Sequence, residues 1–133
     1  PILMRLKSDL TELCDAALEG RLDRVKAQWD ERAALGVVLA AGGYPEAVRK
    51  GDVIDGLDAA AQLPGKVFHA GTKLAEGKVV TSGGRVLCAV GLGDDVSAAQ
   101  RQAYGLVETI SWKGMQYRHD IGHRAIARER GSR

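Results

Sequence analysis

Ser82-Gly83-Gly84-Arg85-Val86-Leu87-Cys88-Ala89-Val90-Gly91-Leu92-Gly93 is the stretch on which the reading of this chain turns. The paired glycines allow a tight turn and leave backbone N–H groups uncovered. The apolar run from Val86 to Val90 reads as a buried strand. An arginine thus stands beside bare amides at a strand end, an arrangement that suits a small anionic ligand. The plain alternative is a β-turn with a solvated arginine. Just downstream, Asp94 and Asp95 open a helix over about Val96 to Ile110. Its Val96, Ala99, Ala103, Leu106, Val107 and Ile110 form one apolar stripe, read as core packing.

Working outward, Ala33 to Ala41 reads as a second apolar strand that ends at the turn Gly42-Gly43-Tyr44-Pro45. Trp29 to Glu31 reads as a short strand before it. Gly51 to Gly56 is a loop, Leu57 to Leu63 a short helix and Lys66 to Ala70 a short strand. Lys73 to Ala75 and Lys78 to Thr81 flank Glu76-Gly77 as a hairpin. Trp112 to Tyr117 reads as a loop with a short strand, and Arg118 to Arg128 as a turn followed by a short basic helix. Near the start, Ser8 to Glu19 reads as a helix with Leu10, Leu13, Cys14, Ala17 and Leu18 on one face. Ser8 or Asp9 caps it, Glu12 falls three after Asp9, and Gly20 ends it. Arg21 to Gln28 is polar and marks a boundary, giving units 1–28 and 29–133. The second unit is α+β, a small antiparallel-rich sheet packed by one long helix.

The 133 residues suffice for one compact domain, and the 17 glycines, about 13% against a usual 7%, mark a turn-rich folded chain. No apolar run approaches the ~20 residues that span a membrane, and the opening residues are too soon interrupted for a signal peptide. Residue 1 is proline, and residues 1–7 read as the middle of an element, which leads to the expectation of a fragment lacking its N-terminal part. The net charge of +2 is uneven: from Trp112 onward six Lys or Arg oppose two Asp or Glu, so the C-terminal end is basic. Such an end attracts anions, and Arg128 to Arg133 reads as a soluble tail. Aromatics make up only 5% and are not interleaved with the basic residues, which argues against nucleic acid. Cys14 and Cys88 read as buried free thiols in a reducing, cytoplasmic setting. His119 and His123 lack a third ligand and are not read as a metal site.

No catalytic constellation is present: no GxSxG, P-loop or HExxH. The chain instead has glycine turns at Gly42-Gly43-Tyr44-Pro45, His69-Ala70-Gly71-Thr72, Ser82-Gly83-Gly84-Arg85 and Tyr117-Arg118-His119-Asp120-Ile121-Gly122. If they converge, they form a shallow cup of backbone donors with two arginines, Arg85 and Arg118, whose forks suit phosphate. Asp120 would hold an amine or ribose hydroxyls, or orient Arg118.

Six blocks in order closely resemble the C-terminal part of the phosphoribosylamine–glycine ligase family, also called glycinamide ribonucleotide synthetases. They are Trp29-Asp30-Glu31-Arg32-Ala33, Val37 to Pro45, Gly51 to Leu57, Val67 to Thr72, Gly83 to Leu87 and Tyr117 to Gly122. The resemblance reaches to about Ile126. It implies an ATP-grasp ligase of de novo purine synthesis that joins glycine to 5-phosphoribosylamine, with ATP and magnesium and through a glycyl phosphate. Residues 1 to about 20 would end the ATP-grasp part, and residues from about 29 would form a C-terminal domain that helps close the site. The magnesium ligands, and the lysines and lid that hold ATP, would lie before Pro1, so the fragment would not catalyse alone. Substrate contacts would come from Gly83, Gly84, Arg85, Arg118, Asp120 and Gly122, with an ion pair as the competing role for Arg85. The alternative functions are a non-catalytic domain that binds a phosphorylated sugar or nucleotide, and a packing domain that only buttresses a neighbour.

Overall fold

In a computed structural model that describes residues 1–131, the chain folds as a mixed α/β unit with small antiparallel sheets. The principal sheet has three strands, β1 (Ala33–Ala40), β5 (Arg85–Gly93) and β2 (Lys66–His69), with β5 in the centre. β3 (Thr72–Ala75) and β4 (Lys78–Thr81) form a separate hairpin. β5 is central because it is apolar on both faces, with Val86, Leu87, Ala89 and Val90 all buried.

Helix α4 (Val96–Thr109) follows β5, and the Asp95 carboxylate caps it by accepting from the Ala98 N–H at 2.7 Å. Its Ala99, Ala103, Leu106 and Val107 are buried in one cluster with Leu35, Val37 and Leu39 of β1 and Leu87 and Ala89 of β5. Helix α3 (Leu57–Ala61) adds Ala60 to this core, and Trp112 closes one end. The side of β1 opposite the core carries Gly36, Val38 and Ala40, and Val38 is exposed.

The pairing of β1 with β5 is regular from Ala33↔Gly93 to Leu39↔Leu87 and then shifts, so that Ala40 stands opposite Arg85. Val86 is the surplus residue of this bulge. Strict alternation would put Arg85 on the core face with Leu87 and Ala89. The shift instead sends Val86 into the core and Arg85 to the face of Val38 and Ala40.

Several elements differ from the sequence expectation. Trp29 to Glu31 is no strand; Trp29 makes one isolated bridge to Leu6, while Asp30 is turned to Arg32. The segment Trp112 to Tyr117 likewise has no strand of its own, and Gln116 extends the end of β1 through reciprocal backbone bonds with Ala40 at 2.7 and 2.9 Å. Helix α5 runs His123–Gly131, so the stretch read as a soluble tail is helical as far as Gly131, and Ser132 and Arg133 lie outside the described residues.

The N-terminal residues stand apart from the core. Helices α1 (Ile2–Arg5) and α2 (Leu10–Leu18) are joined to the rest by the Pro1 ring against Gly36 of β1, by Lys7 N–H to Gln28 O at 2.9 Å and by the Arg5 guanidinium to Asp30 O at 3.0 Å. The Asp9 carboxylate caps α2 by accepting from the Thr11 N–H. The face expected to be buried is open: Ala16 is the only buried residue of α2, Leu10, Cys14 and Leu18 are exposed, and Leu18 is 87% accessible. The Cys14 thiol is therefore free but not buried, and Cys88 is half-buried. The stripe has helical spacing, but described residues cover it only in part, at the half-buried Leu13.

Candidate functional site

Three of the four glycine turns converge through backbone hydrogen bonds. Ala41 N–H donates to Gly84 O at 2.9 Å, Gly71 N–H to Arg85 O at 2.9 Å and Ser82 N–H to Gly71 O at 2.7 Å. The Gly42–Pro45 turn closes on them with the Tyr44 ring seated against Gly84. A Cβ at Gly84 would lie 2.6 Å from Tyr44 Cδ2 and 2.8 Å from Cε2, so this position admits only glycine while the ring stays where it is.

The fourth turn is fastened by α4. The Tyr104 hydroxyl donates to Arg118 O at 2.6 Å and accepts from the Ile121 N–H at 3.1 Å, and the Gln100 side-chain amide donates to Ile121 O at 2.7 Å. The polar side of α4 thus holds the arginine-bearing loop, while its apolar side forms the core.

Between the two loop systems lies a groove of about 420 Å³. Val38 and Ala40 of β1 form part of its lining, with Tyr44, Gln116 and the two arginines Arg85 and Arg118 around them. Arg85 and Arg118 therefore both line one concavity. They differ in how they are held. Arg118 donates to both oxygens of Asp120, from Nε at 2.9 Å and from the terminal nitrogen at 2.7 Å. This pairing raises the Arg118 pKa and draws the Asp120 carboxyl below the usual carboxylate range. The Arg85 side chain, among the described residues, makes no hydrogen bond or ion pair. The ion-pair role weighed for it finds no partner there.

The remaining expected site residues are spread. Gly84 lines an adjacent hollow with Arg85 and Cys88. Gly83 stands against Gly71 rather than in the groove. Asp120 and Gly122 lie on the far side of Arg118, in a second hollow with Arg124 and Arg128. Gly122, at φ +89°, begins α5, where its carbonyl accepts from the Ile126 N–H, and a Cβ there would approach Leu35 Cδ1 to 2.5 Å. Its glycine is explained by this packing. Of the two roles considered for Asp120, the geometry shows the orientation of Arg118. The sequence reading missed Tyr44 and Gln116 as groove residues. The turn containing Tyr44 was visible as a loop, but nothing in it signalled where the ring would lie.

The model of the phosphoribosylglycinamide synthetase C domain matches residues 34–124, which include both halves of this groove. The chain belongs to the phosphoribosylamine–glycine ligase family. It is 63% identical over 131 residues to the phosphoribosylamine–glycine ligase of Pseudomonas putida, and 64% identical over 131 residues to that of Pseudomonas aeruginosa. Each comparison covers 98% of this chain and 30% of the relative, so the chain spans about a third of the length of the ligases it matches. The crystal structure of the Thermotoga maritima ligase superposes with a TM-score of 0.62 at 40% identity, over 82% of this chain and 27% of that one. The match to the family's C domain thus spans β1, β5 and α4.

Proposed function

We propose that this chain is the C-terminal portion of an ATP-dependent ligase that joins glycine to 5-phosphoribosylamine to give glycinamide ribonucleotide, and that its own contribution is a cationic wall for the phosphorylated sugar. The observation that carries this reading is the presence of Arg85 and Arg118 in one groove, on a chain of this family. Arg85 is free to fork onto a phosphate, and Arg118, held by Asp120, presents fixed positive charge beside it. The Gly83 and Gly84 amides, which donate to no described residue, stand at the same strand end. Asp120 acts as a positioning residue and Gly122 shapes the loop that carries it.

Residues 1–28 are read as the end of the ATP-grasp part, followed by a small antiparallel-sheet domain, residues 29–133, packed by one long helix. The largely uncovered face of α2 supports this division, since a helix of this kind needs a partner for its leucines. In the intact ligase, ATP and magnesium would promote the acyl transfer by activating the glycine carboxylate. The described residues do not suit the metal: no group of three or more His, Cys, Asp or Glu side chains is placed to hold one, and Asp30, Asp52 and Asp120 are each engaged by an arginine. The groove's task in this reading is to bind and orient the sugar phosphate while nucleotide handling belongs to residues upstream. The location is read as cytoplasmic; among the described residues no helix is long and apolar enough to cross a membrane, and both cysteines are unpaired.

The test is a full-length ligase in which this chain replaces the matching part of the Pseudomonas putida relative. Activity is expected with ATP, glycine and phosphoribosylamine, and none from this chain alone. Arg118→Ala is expected to raise the KM for phosphoribosylamine by on the order of tenfold or more, with the KM for ATP little changed, because a charge-assisted phosphate contact is lost. An unchanged KM for phosphoribosylamine in both Arg118→Ala and Arg85→Ala would overturn the reading. Binding of ribose 5-phosphate without ligase activity in the chimera would favour the non-catalytic alternative.

A further inference from the structure

We infer that Tyr44 positions the pentose of the sugar phosphate, with its ring as an apolar platform and its hydroxyl as the hydrogen-bond partner of a sugar hydroxyl. The inference deepens the reading above and rests on it. Three observations carry it. Tyr44 lines the groove that contains both arginines, so a ligand whose phosphate is held there extends within reach of it. Its ring is seated on the backbone: two edge carbons, Cδ2 and Cε2, rest on Gly84. Its hydroxyl has no hydrogen-bond partner among the described residues, and the residue is 40% accessible, so the hydroxyl is available to a ligand.

A tyrosine kept only for packing would bury its ring and turn its hydroxyl to a protein partner or to bulk water. Here one edge of the ring rests on Gly84, and the residue lines the groove while staying partly accessible. A pentose offers what such a group recognises, an apolar C–H face beside hydroxyls that both donate and accept. Val38 and Ala40 carry the apolar surface onward, so the groove joins an anionic end to an apolar and hydroxyl-bearing one.

The experiment measures kcat and all three KM values in the full-length chimera for Tyr44→Phe, Tyr44→Ala and Arg118→Ala. Tyr44→Phe keeps the seat on Gly84 and removes only the hydroxyl. It is expected to raise the KM for phosphoribosylamine about two- to tenfold, the value of one neutral hydrogen bond, with kcat and the KM values for ATP and glycine unchanged. Tyr44→Ala is expected to raise it further. An unchanged phosphoribosylamine KM in Tyr44→Phe, alongside a raised one in Arg118→Ala, would overturn the role of Tyr44 and leave the phosphate wall standing. A change that falls on glycine or ATP instead would also overturn it. No effect from any of the three variants, nor from Arg85→Ala, would overturn both.

Discussion

Arg118 holds Asp120 two residues away in a two-point grip, Nε to one carboxylate oxygen at 2.9 Å and the terminal nitrogen to the other at 2.7 Å. The pair is exposed, so it contributes to the shape of the loop more than to global stability. Its pH dependence has a definite sign. The carboxyl's pKa is lowered in the folded chain, mainly by the hydrogen bonds from Arg118. The interaction is therefore complete above the ordinary carboxylate range and is lost as pH falls through the lowered value. Carboxyl-detected NMR titration is expected to find Asp120 titrating below an exposed aspartate, and to find it returning upward in Arg118→Ala. An Asp120 midpoint indifferent to Arg118 would contradict the pairing.

Gly84→Ala sets a methyl group against the Tyr44 ring. Overpacking of this kind costs about 1–3 kcal/mol. The prediction is a lowered urea midpoint with an unchanged slope, and partial recovery in the double variant Gly84→Ala/Tyr44→Ala. Equal losses in the single and double variants would show that the ring does not rest on Gly84.

Core and N-terminal leucines are expected to behave in opposite ways. Leu39 and Leu106 are fully buried in the cluster between sheet and helix, and truncation of either to alanine should cost about 2–5 kcal/mol. Leu18, almost wholly accessible, should tolerate Leu18→Ala within about 0.5 kcal/mol in this chain. Thermal and chemical denaturation of the three variants checks both halves.

The two thiols should separate kinetically. Cys14 is exposed on α2, whereas Cys88 is half-buried on β5 and burial raises its pKa. Because the thiolate is the nucleophile, Cys88 should lag at neutral pH and gain on Cys14 as the pH rises. Peptide mapping after timed iodoacetamide labelling reports the order; faster labelling of Cys88 at neutral pH would contradict this placement.

Much of the fold was legible because its signals are local. The continuous apolar run of β5, the Asp95 cap and the stripe on α4 each name their element without knowledge of distant neighbours. The misreadings arose where the outcome depended on a partner. Trp29 and Gln116 have strand-like surroundings, yet each finds only an isolated bridge, and the stripe on α2 has the right spacing with only Leu13 partly covered. At the groove, the sequence pointed to both arginines and to the glycine turns. It had no means of placing Tyr44 there, because that depends on which glycine lies beneath the ring. Nor did it reveal the side on which Arg85 emerges, which depends on the register against β1.

That register has an electrostatic consequence. One unmatched valine decides whether a positive charge looks outward or toward the interior of the sheet. Loss of that single residue would keep nearly every letter and turn the Arg85 side chain to the opposite face of the sheet. The direction of that charge is thus written in the pairing of two strands and not in the letter at position 85 alone.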